Sequence, residues 1–173
     1  MKYLGPVHAA TLTLHHQIES MVVGQAMKSG NPPMPWFAGW LSMKGELHRV
    51  LDDGYLPRCC RKYQSYVEDL SSLPFTVPVP QAMLEFASTL NNESRRAGAA
   101  YVLIGGNLMG GEVIRRALGP EYPQKSFLWD DRETAMHFLR QLRHRADAIE
   151  PAIECFSALI ASCEEIKEWG SKP

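Results

Sequence analysis

The sequence predicts an all-α, single-domain bundle of six to seven helices, and three observations carry that expectation. Apolar residues recur at three- and four-residue spacing along most of the chain. No segment sustains the period-two alternation of a half-buried strand, and short Gly- and Pro-rich connectors separate the periodic runs. A chain of 173 residues, taken as one domain over 1–173, is long enough to build a proper core from helices packed on helices.

The elements follow in order. Val7 to about Val23 is amphipathic, with Val7, Leu14, Ile18 and Met21 on one stripe. The Gly30-Asn31-Pro32-Pro33 loop leads to a second helix, Pro35 to Asp52, and Leu56 to Leu70 makes a third. Ser71 to Pro80, with three prolines, is a connector before a fourth helix at Gln81–Leu90. A fifth runs from about Ser94 to Leu118, and Gly119–Leu128 is a loop. Asp130 with Glu133 three residues on reads as a capping-box-like start for a sixth helix to about Ala146. The last extends from Pro151, tolerated in a first turn, to Trp169.

Composition removes several classes of function. A net charge of −1 gives no reason to expect nucleic acid or a membrane surface as partner. No apolar run approaches the roughly 20 residues that span a bilayer, and Met-Lys-Tyr-Leu-Gly-Pro lacks the apolar core of a signal peptide. Cys59 and Cys60 are neighbours; Cys155 and Cys163 lie about 12 Å apart by helical rise. Neither pair suggests a disulfide framework or a C-x-x-C zinc site, so a reduced, cytoplasmic protein is expected.

Gly105-Gly106-Asn107-Leu108-Met109-Gly110-Gly111 stands where glycine is unfavourable, inside the fifth helix. Each glycine costs a helix interior roughly 1 kcal/mol relative to alanine, so the four cost roughly 3–4 kcal/mol. Either the helix breaks into helix–loop–helix here, or it bends and offers bare backbone to something flat. A phosphate cradle does not fit: there is no G-x-x-x-x-G-K-[ST], and Glu112 repels a phosphate. On the first helix, His15 lies roughly 60° from the centre of the apolar stripe, on its shoulder, whereas His16 lies roughly 160° away. Glu19, one turn on from His15, is placed to accept a ring N–H and so fix the tautomer of a metal-binding imidazole.

These two features together resemble the haem oxygenases. Ala10-Thr11-Leu12-Thr13-Leu14-His15-His16-Gln17-Ile18-Glu19 is similar to that family's A-T-x-x-x-H-x-x-x-E segment, whose histidine is the proximal haem ligand. Tyr101-Val102-Leu103-Ile104-Gly105-Gly106-Asn107-Leu108-Met109-Gly110-Gly111 resembles the distal helix, approximately A-Y-x-x-x-x-G-D-L-S-G-G, or Y-V-L-E-G-S-x-L-G-G in bacterial members. The order of helices fits across nearly the whole chain.

The resemblance implies a haem-oxygenase-like bundle with a glycine-kinked distal helix. It implies haem as cofactor and substrate, with His15 Nε2 on the iron and Glu19 accepting from the other ring nitrogen. Gly105, Gly106, Gly110 and Gly111 would form the distal wall, with Gly106, Asn107 and Gly110 nearest the chemistry. Tyr101, Arg140 and His144 or Arg143 would meet the haem carboxylates, with His8 near a basic partner position. Electrons would come from an external ferredoxin or flavin reductase, and with O₂ the haem would be cleaved to biliverdin, CO and ferrous iron. Asn107 departs from the aspartate of many members and Met109 from a small residue. The resemblance therefore also admits a non-degrading haem carrier or sensor on the same fold. Cys155 and Cys163 read as small core residues rather than nucleophiles.

Overall fold

Three long helices, each burying many of its side chains, organise the chain. In a computed structural model describing residues 4–170, they are α3 (Met34–Leu51), α6 (Glu93–Ala117) and α8 (Ile149–Trp169), packed on one another. Five further α-helices surround them: α1 (Pro6–Ser20), α2 (Val22–Ser29), α4 (Tyr63–Ser71), α5 (Gln81–Ala87) and α7 (Arg132–Leu142). Short 3₁₀ turns lie at Arg58–Cys60, Lys125–Phe127 and Ala146–Ala148, and no strand occurs among the described residues. The core runs through Phe37, Leu41, Leu47, Leu103, Ile104 and Leu108, all essentially inaccessible.

Among the described residues eight α-helices replace the expected six or seven. The run read as Val7–Val23 is two helices, because Met21 takes an extended backbone (φ −67°, ψ 152°). A Cβ on Gly24 would stand 2.4 Å from the carbonyl oxygen of Ile18, so α2 begins hard against the last turn of α1. That approach is between backbone groups only six residues apart and leaves no mark on helical periodicity. The third segment starts as the 3₁₀ turn at Arg58–Cys60 and becomes α-helical only at Tyr63. Asp131, not Asp130, caps α7, its carboxylate accepting from the Thr134 N–H at 3.0 Å. That helix ends at Leu142, short of the expected Ala146.

The glycine run does not break its helix. Asn92 caps α6 by accepting from the Arg95 N–H at 3.0 Å, and the helix then continues unbroken to Ala117. Packing decides this: Leu103, Ile104 and Leu108 are fully buried, and each such side chain stabilises by about 1.5–3 kcal/mol. Together they exceed the roughly 3–4 kcal/mol intrinsic cost of the glycines. Close crossing adds a further reason for small residues, since a Cβ on Gly98 would lie 2.5 Å from the Ala152 nitrogen of α8. By length and composition α6 could cross a membrane, the only described helix that could, but 67% of its apolar window is buried inside the protein. All four cysteines are free thiols, with Cys155 and Cys163 buried in α8.

Candidate functional site

Helices α1 and α6 both pack on α8 but scarcely on each other, and the gap between them is a cleft of about 1150 Å³ counted out to its solvent mouth. One wall is α1, with Thr11, His15 and Glu19; the other is α6, with Tyr101, Gly106 and Gly110. Trp40, Met43 and Lys44 of α3 and Phe156 and Leu159 of α8 close the inner side, and His8 and Arg143 also line the cleft. Its size and largely apolar lining with a few polar groups are those of a small-molecule site.

His15 is half-buried and lines the cleft, while His16 is exposed and outside it. Burial lowers the His15 pKa from its ordinary value, against the pull of Glu19, so the ring is neutral near pH 7 with a lone pair to give. The nitrogen facing Glu19 is Nε2, at 3.4 Å, and Glu19 also pairs with Lys28 at 3.1 Å. This corrects the expectation that Glu19 holds the other ring nitrogen and leaves Nε2 free. Ligation through Nε2 requires the ring to turn from Glu19, whose carboxylate keeps Lys28.

The four glycines divide by what they face. A Cβ on Gly110 would meet nothing within 4 Å, and one on Gly106 only the Lys44 Nζ, at 3.4 Å. Gly105 is turned to Leu139 of α7 and Gly111 toward Phe127. All four border the cleft, but Gly106 and Gly110, one turn apart, present the bare backbone.

Asn107 is buried behind the cleft wall and does not line it. Its Oδ1 accepts from Lys44 Nζ at 3.1 Å and from the Tyr66 hydroxyl at 3.4 Å, and its Nδ2 meets His48 Nε2 at 3.2 Å. His48 Nδ1 in turn lies 2.8 Å from Asp52 Oδ1, whose other oxygen accepts from the Lys62 and Tyr63 backbone N–H groups. The chain of bonds fixes every polarity. Asp52 can only accept, so His48 carries its proton on Nδ1, Nε2 accepts from the amide, and Oδ1 is left for Lys44. An amide suits this place because it both donates and accepts.

Arg140 and His144 are exposed and do not line the cleft; Arg143 does. Its Nε is buried and has no hydrogen-bond partner among the described residues. Each residue turns a helix by about 100°, so a shift of one position swings a side chain out of the site. Tyr101 lines the cleft, with burial raising its phenol above the usual range against a hydrogen bond with Thr11. Lys44 and His48 were not singled out in the sequence. The signal was there: they fall at helical spacing among Leu41, Leu47 and Leu51, so a cation and an imidazole occupy the apolar stripe of α3.

Among the described residues no three His, Cys, Asp or Glu side chains gather as a ligand set for a bare metal ion. Neither protein-family profiles nor curated proteins match this chain.

Proposed function

We propose that the cleft is a haem site and that the chain is a haem oxygenase. The observation that carries this reading is the sharing of one cleft by His15 on α1 and the bare backbone of Gly106 and Gly110 on α6. A flat ligand needs a wall without side chains, and a single imidazole suits a metal whose other positions a macrocycle fills. The unpartnered Arg143 Nε offers a charge-assisted donor for a ligand carboxylate.

Haem, when bound, would supply the iron and the macrocycle that is itself oxidised to biliverdin, with release of CO and ferrous iron, using O₂ and electrons from an external ferredoxin or flavin reductase. The protein's part is narrower. His15 would hold the iron from one side as a neutral imidazole. Gly110 would let the macrocycle edge lie against backbone, Gly106 would leave space for a small ligand between backbone and macrocycle, and Met43, Phe156 and Leu159 would keep water from its inner edge. Arg143 and His8, both in the lining, would fix the carboxylates and so the orientation of the ligand. The reading is one of a soluble, cytoplasmic enzyme.

One observation favours a second reading, a carrier or sensor that leaves haem intact. Among the described residues Glu19 is the only carboxylate lining the cleft, and Asn107 lies behind the wall, so none of their acids stands on the α6 side.

Adding hemin to the purified protein and then a reductant in air, with catalase present, separates these readings. A saturable Soret band that decays into the broad absorption of biliverdin supports the oxygenase; a stable band supports the carrier; no saturable band refutes both. His15→Ala is expected to abolish the histidine-ligated spectrum and His16→Ala to leave it nearly unchanged. Equal loss in both would remove His15 as the ligand.

A further inference from the structure

Lys44 is the one charged group of α3 that lines the cleft, and it is only 8% exposed. Its Nζ donates to Asn107 Oδ1, sits 5.0 Å from the centroid of the Trp40 ring, and lies beside the backbone face of Gly106. No carboxylate pairs with it among the described residues; Cys163 and Cys155 of α8 and His48 of its own helix act on it, and the Tyr66 hydroxyl of α4 shares its acceptor. Burial lowers its pKa to about 8, so the ammonium is still largely charged at neutral pH. A buried cation with one neutral acceptor and a ring face is under-compensated, and the residue lines the cleft, where a ligand can meet its remaining N–H groups.

We propose that Lys44 is a specificity-determining contact of the haem site, holding a small anion against the bare backbone of Gly106 on the face opposite His15. The inference rests on the haem reading of the cleft. It also accounts for Asn107. A carboxylate at that position would neutralise the ammonium in place, whereas the amide, oriented through His48 and Asp52, aims an acceptor at Nζ and leaves its charge uncompensated. Asn107, His48 and Asp52 are then positioning residues for Lys44.

The test is azide binding to the ferric hemin-loaded protein, followed in the visible spectrum at matched hemin loading. Against wild type at pH 7, Lys44→Met is expected to weaken azide by roughly tenfold or more, the scale of one charge-assisted hydrogen bond. Lys44→Arg is expected to retain much of the wild-type affinity. The wild-type advantage over Lys44→Met should shrink as pH rises through about 8, where the ammonium loses its proton. Asn107→Asp gives a second route that keeps Lys44 in place: its carboxylate should weaken azide by compensating the charge. Equal azide affinity in wild type, Lys44→Met and Asn107→Asp overturns the proposal and leaves the haem reading standing. No saturable Soret band in the wild type overturns the haem reading and this proposal with it.

Discussion

Gly110 separates a ligand wall from a structural accident, because the two make opposite predictions for apo stability and for binding. It sits in the α-helical interior of α6 with no positive φ, and a Cβ there meets nothing within 4 Å. In the apo protein Gly110→Ala therefore removes a poor helix former without a clash and should stabilise by about 0.8–1 kcal/mol. For a chain of this length that raises Tm by about 2–4 °C. A flat ligand in contact with bare backbone rests about 3.5–4 Å from the nearest carbon. A methyl carbon standing about 1.5 Å further out forces it back along that whole edge. Gly110→Ala should weaken hemin binding and Gly110→Leu should weaken it further, by roughly tenfold or more. Circular-dichroism melts of the apo proteins and Soret titrations with hemin read the two effects independently. Unchanged hemin affinity in Gly110→Leu refutes the wall, and a lowered apo Tm in Gly110→Ala shows that the glycine serves the fold instead.

Two further outcomes are expected. Burial depresses the His48 pKa below its ordinary 6.5, with Asp52 opposing; the unfolded chain then binds more protons, so stability is complete above pH 6.5 and falls as pH drops below it. Urea midpoints should therefore rise between pH 5 and 7, and His48→Gln should flatten that rise; an unchanged slope removes His48 from the linkage. Arg143→Met should weaken hemin while Arg140→Met does not, and the difference should vanish with hemin dimethyl ester, which has no carboxylates for Arg143 Nε to meet. An equal loss with the ester assigns Arg143 to packing alone.

What the sequence made legible was whatever local periodicity encodes. The stripe through Val7 and Ile18 put His15 on the shoulder of the buried face, and the structure has it half-buried while His16 is exposed. The all-helical class followed from the same periodicity, as did the approximate limits of α3, α6 and α8. What failed was set by contacts that helical periodicity does not encode or by single-residue phase. The α1–α2 break depends on Gly24 approaching Ile18, and the continuity of α6 on how deeply Leu103 and Leu108 are buried. His144 and Arg143 stood as alternatives because neighbouring residues differ by about 100° around a helix, and only packing tells which of them faces inward.

The buried polar chain shows how such a site becomes visible once the core is known. Asp52, His48 and Lys44 come from α3 and its C-cap and Asn107 from α6, and no spacing in the sequence shows that they meet. Together they occupy positions where apolar side chains would pack with less desolvation, and replacing buried polar pairs by such side chains is often neutral or stabilising. A fold that needed only stability would have little use for them. Lys44, the end of the chain that reaches the cleft, gains purpose only if something with negative charge comes to meet it there. The polarity of the chain points the same way: Asp52 accepts, His48 passes the direction on, and Asn107 turns its oxygen to the ammonium, so each member orients the next toward the cleft.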